Sequence, residues 1–290
     1  MTKTFLKRII VVVTLLERSS HEMKKLLAVI IAAIAATIGC FSLTGCKKEE
    51  NTLIVYTEAG FAPFEFKEKG KRDVIGVDIE IAKYIANKYG YKLKIVDGNF
   101  DTIIAGIKED NALGIAGISW TASRAENVEF SKFYFGGTFQ TVIYMKSSNP
   151  ALNEDGVFLK SNFNGKDVVY QSGTTGNSLV NENKTAWGVK TVKGFAEYAL
   201  ALEYLKTSPS TYLVLDSYVA AQFCAQNNDI AYATIEDVAA ESYGIVAKKG
   251  NSKLIEKVND CIDELLQEDE NGKTQIDKWY DKFSVIEPEE

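Results

Sequence analysis

Past residue 45 the chain holds only two arginines, Arg72 and Arg124, although lysine is plentiful there. Arg72 sits in the charged turn KEKGKRD (67–73) and reads as solvated. Arg124 follows a small apolar run in GISWTASRAENVEFS (117–131). A guanidinium presents a rigid fork of donors that grips a carboxylate or phosphate through two parallel bonds, which an ammonium cannot do. Arg124 therefore reads as an anion ligand, with an ion pair to Glu126 or Glu129 as the structural alternative. A second cue is QSGTTG (171–176), between a strand and a helix. Free backbone N–H groups ahead of a helix make an anion cradle. The run lacks the Gly-Lys-Thr of a Walker loop and the spacing of a dinucleotide fingerprint, and it also suits an ordinary strand–helix turn. Asp216, in YLVLDSYVAA (212–221), ends a strand where open α/β sheets place ligands. It can accept a cationic amine, or simply cap the helix from Ser217. Finally, EAGFAPFEF (58–66) puts Glu58, Phe61, Phe64 and Phe66 after the first strand, on the same rim. One of these phenylalanines can line a pocket; otherwise all three pack the loop.

The elements that must position these residues alternate. Leu53–Thr57 is β-branched and aromatic, and reads as a strand. Residues 78–89 carry a helical apolar stripe closed by Gly90. Tyr91–Ile95 reads as a strand, 100–108 as a helix, and Leu113–Ser119 as a small apolar strand. This βαβαβ order predicts a parallel sheet. A second round follows: a strand at 168–170, the turn at 171–176, helices from 177 and over 195–205, a strand at 212–215 and a helix at 217–225. The strand-like runs 138–146 and 243–247 lie between the rounds and are candidates for the connections; 254–266 is a strongly periodic helix. Two similar rounds, in a chain of 290 residues, predict two lobes.

Composition narrows the function. With 46% hydrophobic and 25% charged residues the chain is a folded protein, neither disordered nor fibrous. The net charge of −6 leaves no basic footprint, so nucleic acid is not an expected partner. The sole histidine is His21, which argues against a histidine-based triad or metal site. No Cys-x-x-Cys occurs, and no cofactor or metal is expected.

The N-terminus reads as an export signal over residues 1–45. From Met23 come two lysines, an apolar run (Leu26–Leu43) and then Thr-Gly-Cys. Leu43-Thr44-Gly45-Cys46 resembles a bacterial lipobox, in which Cys46 is acylated and becomes the mature N-terminus; a membrane-spanning anchor is the alternative. Residues 1–22 add nothing a signal needs, so Met23 is the expected start. Residues 46–51 form a polar tether. Without residues 1–45 the chain keeps 27 basic and 37 acidic residues, net −10, so the lipid and not a basic patch would hold it to a membrane. Cys224 and Cys261 read as buried free thiols.

The ordered set FAPFEF (61–66), GVDIEIAKYIA (76–86), NFDTIIAGIKEDNALGIAGISWTASRAENVEFS (99–131), VVYQSGTTGN (168–177), VLDS (214–217) and YGIVAKKGN (243–251) resembles the polar amino-acid-binding proteins, the family 3 solute-binding group of ABC importers. The resemblance covers 52 to about 282. It implies a two-lobe periplasmic-binding-protein-like α/β fold of type II. Each lobe would be a mostly parallel sheet flanked by helices, and two crossing strands would join them. Lobe 1 would comprise 52–137 and 242–290, and lobe 2 would comprise 138–241. It implies a monomer, exported and held by its lipid on the periplasmic or outer face, that captures a free amino acid and delivers it to a membrane permease. Carried over residue by residue, Arg124 would grip the ligand α-carboxylate, with the backbone N–H groups of Ser119 and Thr175. The Gly117 carbonyl, the Ser119 hydroxyl and Asp216 would meet the α-ammonium. Phe61 and Phe100 would flank the side chain, and Gln171 and Leu215 would touch it. Two departures stand out: Glu58 replaces the usual Asp, and Trp120 replaces a smaller aliphatic residue. These walls favour a neutral polar ligand such as glutamine, with a basic one next. The same fold also serves a few dehydratases of cyclohexadienyl acids, murein lyases and receptor-kinase sensory domains. Of these a dehydratase is the main alternative.

Overall fold

A computed structural model describes residues 51–289. The expected export signal, the start at Met23 and Cys46 lie outside the described residues. Two five-stranded sheets organise the chain. The first combines β1 (Thr52–Thr57), β5 (Lys92–Asp97), β6 (Ala112–Gly114), β7 (Val128–Thr138) and β13 (Glu241–Lys248), in the order β5-β1-β6-β13-β7. Here β1 runs parallel to β5 and β6, while β13 is antiparallel to β6 and β7. The second combines β8 (Gln140–Met145), β9 (Asp167–Gln171), β10 (Thr191–Phe195), β11 (Thr211–Asp216) and β12 (Ile230–Thr234), in the order β10-β9-β11-β8-β12. Its β10, β9 and β11 are parallel, and β8 is antiparallel to β11 and β12. A small antiparallel sheet of β2 (Gly60–Phe61), β3 (Glu65–Lys67) and β4 (Val74–Ile75) lies beyond β1.

Helices α1 (Val77–Tyr89), α2 (Phe100–Gly106) and α3 (Ala122–Asn127) belong to the first round; α4 (Thr175–Asn183), α5 (Tyr198–Thr207) and α6 (Ser217–Gln226) to the second. Helices α7 (Ser252–Leu265) and α8 (Gln275–Phe283) close the described chain. The α1 face that buries Ile81, Ala82, Ile85 and Ala86 follows the 3.6-residue period read from sequence, and Gly90 ends the helix. No described helix is long and apolar enough to cross a membrane. One hydrophobic cluster joins the sheets, running from Leu53 and Ile81 to Leu213 and Val219.

Several expectations need correction. The strand foreseen at 113–119 stops at Gly114, because Gly117 turns the chain to φ +50 and interrupts the ladder, which Ser119 rejoins only through a single bridge to Tyr243. The run 138–146 is no bare connection: β7 ends at Thr138, and β8 is a full member of the second sheet. Likewise 243–247 pairs inside the first sheet. The chain passes between sheets at Phe139 and again between β12 and β13. The helix foreseen from Phe195 starts at Tyr198, since Phe195 ends β10 beside Gln171. Cys224 and Cys261 are free, Cys261 buried and Cys224 half-buried.

Leu113, fully buried in β6, should be intolerant of truncation. Leu113→Ala is expected to cost about 2–5 kcal/mol, read as a lower urea midpoint at unchanged slope.

Candidate functional site

A cavity lies where the two sheets face each other. Phe61, Phe100, Gly117, Ser119 and Arg124 line one side, Gln171, Thr174, Thr175, Tyr198 and Asp216 the other, with Gln140 and Tyr243 at the crossing strands.

Arg124 is placed by α3, whose N-cap Thr121 accepts the Arg124 backbone N–H at 3.1 Å. Its Nη1 donates to the Ser119 carbonyl at 2.7 Å and its Nη2 to the Gly173 carbonyl at 2.8 Å. The guanidinium carbon stands 5.4 Å from the Phe100 ring centre. Burial pushes its pKa down, against an upward pull from Glu241 and Tyr198. Neither Glu126 nor Glu129 pairs with it among the described residues; Glu129 lies 3.8 Å from Lys249 instead. A guanidinium partly withdrawn from water, whose hydrogen bonds go to carbonyls and not to a carboxylate, attracts an anion.

Asp216 ends β11 and does both things its sequence context suggested, one oxygen each. Oδ1 accepts the Tyr218 N–H at 2.9 Å and caps α6. Oδ2 is buried and in no close hydrogen bond among the described residues; the hydroxyls of Thr138 and Tyr243 stand beside it and favour its charged form. Burial pushes the Asp216 pKa up to about 6, against the lowering effect of Tyr243, Thr138 and the Tyr218 N–H, and Glu241 adds to the rise. Such a carboxylate is an acceptor for a cation.

The QSGTTG run is likewise both a turn and a cradle. Thr174 caps α4 by accepting the Asn177 N–H at 3.1 Å, and Asn177 Oδ1 accepts the Gly173 N–H at 3.0 Å. Thr175 opens α4, where a backbone N–H has no partner inside the helix. Gly173 stands at φ +79, and a Cβ there would lie 2.8 Å from the Asp101 Cα on the opposite side. Only glycine lets the two walls meet at this point.

Of the residues named from sequence, Phe61, Phe100, Gly117, Ser119, Arg124, Gln171, Thr175 and Asp216 share this cavity. Three do not line it. Leu215 is buried in the core, because alternation along β11 turns it away from Asp216. Trp120 is 50% exposed: its N–H binds the Ser242 carbonyl at 3.2 Å, and it follows Ser119 in a strand-like bridge, which sends it outward. Glu58 lines an adjoining cavity that shares Tyr198 and also holds Asp97, Asn99, Glu197 and Lys67. Burial raises its pKa to about 7; Gln171 and Lys67 oppose the rise, while Glu197 and Asp97 add to it.

The sequence reading missed Gln140, Tyr198, Tyr243 and Glu241. Glu241 accepts Gln140 Nε2 at 3.1 Å and Thr175 Oγ1 at 2.9 Å, tying both crossing strands to the start of α4. A glutamine inside the apolar run TFQTVIYMK was the one available signal. Tyr198 and Tyr243 looked like core aromatics.

Two buried carboxyls with raised pKa values make the folded chain bind more protons than the unfolded one. Their stabilising contribution is present below the ordinary carboxylate range and lost as pH rises through about 6 for Asp216 and about 7 for Glu58. The protein without added ligand should therefore show a higher urea midpoint at pH 5 than at pH 8. Asp216→Asn should reduce that slope; an unchanged slope counts against the burial described.

The family model for "Bacterial extracellular solute-binding proteins, family 3" matches residues 53–282. The arginine-binding extracellular protein ArtP of Bacillus subtilis is 28% identical over 265 residues, spanning 89% of this chain and 98% of ArtP. The structure of the amino acid ABC transporter substrate-binding protein AbpA from Streptococcus pneumoniae, bound to L-arginine, superposes with a TM-score of 0.71 at 26% identity, covering 82% of this chain and 96% of AbpA. Holo ArgBP from T. maritima gives a TM-score of 0.67 at 32% identity, covering 80% of this chain and 97% of ArgBP. The two facing sheets and their double crossing are the type II periplasmic-binding-protein fold of these neighbours. By its ordered motifs, its fold and this match, the chain belongs to the bacterial extracellular solute-binding proteins of family 3.

Proposed function

We propose that this protein is the receptor of an ABC importer for a basic amino acid, arginine foremost. The observation that carries the reading is the placing of a half-buried guanidinium, Arg124, and a buried carboxylate oxygen, Asp216 Oδ2, in the walls of one cavity. An α-amino acid presents one anion and one cation to two such groups. Its carboxylate takes Arg124 and the N–H groups of Ser119 and Thr175. Its ammonium takes Asp216, the Gly117 carbonyl and the Ser119 hydroxyl. The side chain passes Phe61, Phe100 and Gln171 toward Glu58. Residues 52–138 with 241–289 form one lobe and 139–240 the other, and the ligand favours their closure because it touches both.

The sequence alone favoured a neutral side chain. The acidic group of Glu58, Asp97 and Glu197 shifts that preference, because these carboxyls gather only in three dimensions. A guanidinium or ammonium there would offset the cost of burying Glu58. The relatives named above bind arginine, in agreement. They are named as binding proteins, and the dehydratase alternative gains no support from them. Export, acylation at Cys46, delivery to a permease and a monomeric state complete the reading; the lipobox LTGC supports the anchor.

Charge-assisted hydrogen bonds contribute about 1.5–3 kcal/mol each. Four or five of them give about 6–15 kcal/mol, against the ~8 kcal/mol of micromolar binding, and what exceeds it offsets desolvation and closure. A thermal-shift panel of the twenty amino acids identifies the ligand; no stabilisation by any of them rejects the function. Arg124→Ala should weaken arginine binding at least about a hundredfold, some 2.7 kcal/mol, by calorimetry. Near-native affinity would remove Arg124 from the site. Gly173→Ala should weaken binding by about tenfold or more, with a larger arginine-saturated radius of gyration in X-ray scattering, since its Cβ meets Asp101. An unchanged radius would show that the halves do not meet there.

A further inference from the structure

We propose that Glu65 and Asp78 share one proton, and that this buried pair positions Gly117 as the acceptor of the ligand ammonium. The proposal rests on the reading of Gly117 given above and adds a layer behind it. Both carboxyls are fully buried, with 0% exposure. Asp78 lies in the first turn of α1, where the helix end favours negative charge. Its Oδ2 accepts the Gly117 N–H at 2.9 Å and the Tyr134 hydroxyl at 2.9 Å. The Glu65 carboxyl, reaching in from β3, meets Asp78, whose Oδ1 is the oxygen left without a donor. If both were ionised, Asp78 Oδ1 and both Glu65 oxygens would have no donor at all. Two like charges in contact and out of water cannot both persist. The groups facing Glu65 are Asp78 and Glu58, and Tyr134 from β7 also faces Asp78; no cation among the described residues bears on either carboxyl. One proton on one Glu65 oxygen, donated to Asp78 Oδ1, satisfies those two atoms, leaves only the second Glu65 oxygen without a partner, and leaves a single negative charge.

That charge has a use at the cavity. Gly117 stands at φ +50, and the Phe61 ring leaves no room for a Cβ, which would lie 2.6 Å from Cε1. The tether from its N–H to Asp78 fixes the loop that ends at Ser119, and so the direction of the carbonyl meant for the ammonium. The shared negative charge lies one peptide behind that carbonyl and favours a cation in front of it. Glu65, Asp78 and Tyr134 are thus positioning residues.

Two measurements test this. Infrared difference spectra of the protein at pH 7, without ligand, should show a buried protonated-carboxyl band that Glu65→Gln removes; a Glu65 ionised at pH 7 overturns the shared proton. Calorimetry with L-arginine is the second. Glu65→Gln retains a donor to Asp78 and should keep affinity within about threefold, whereas Glu65→Leu and Asp78→Asn should lose tenfold or more. A merely structural pair would lower the melting temperature of Asp78→Asn and leave its affinity unchanged, which would overturn the positioning role. Should Asp78→Asn fail to fold, Tyr134→Phe removes one donor alone and should weaken binding severalfold; native affinity there counts as refutation. If the wild-type protein bound no amino acid, the function would fall while the infrared result still decided the shared proton.

Discussion

A positive charge largely withdrawn from water, with Glu241 near it but no carboxylate bonded to it among the described residues, is the constraint on which this molecule depends. Arg124 donates to one carbonyl on its own side of the cavity and one on the other. Carbonyls satisfy its N–H groups but do not neutralise it, and the resulting field has one natural complement, a carboxylate. Everything near it serves that arrangement. Thr121 starts the short helix that aims the side chain, Phe100 covers the guanidinium face, and Gly173 brings the second carbonyl within reach because it carries no side chain.

Because those carbonyls belong to different sheets, the same charge couples recognition to the relation between the two halves. Each half supplies only part of what a zwitterion needs: Arg124, Ser119 and Gly117 on one, Asp216 and the start of α4 on the other. A ligand that touches both is bound most strongly when they are together, which is the thermodynamic meaning of closure. The chain crosses twice between the sheets, and at those crossings Glu241 and Gln140 hold Thr175. The crossing strands therefore carry a polar link into the site as well as the hinge.

The negative side of the site is built in layers. Asp216 and Glu58 are carboxyls that burial makes reluctant to ionise, and a cationic ligand is what relieves them. Behind Gly117 a third, Asp78, accepts the Gly117 N–H and the Tyr134 hydroxyl, with the proposed Glu65 proton as its further donor. Groups that weaken the fold on their own and gain from a ligand are a common cost of a binding site.

The sequence by itself determined the alternation of strands and helices, the two rounds, and the residue types able to hold opposite charges. Apolar periodicity and end signals are local, so α1 with Gly90, and the stretch from β11 through Asp216 into α6, were legible. The uniqueness of Arg124 among the lysines pointed to the anion side. Tertiary structure alone decided the rest. Leu215 turned to the core and Trp120 outward, because facing depends on which partner strand a residue meets. Glu58, Asp97 and Glu197 converge from three segments, and Gln140, Tyr198 and Tyr243 become walls only once the sheets face each other. The apolar run at 113–119 looked like a strand and became a loop that lines the cavity, where a buried aspartate 39 residues earlier claims the Gly117 N–H. Such long-range contacts leave no periodic mark in a chain, since the partner that decides them lies elsewhere in it.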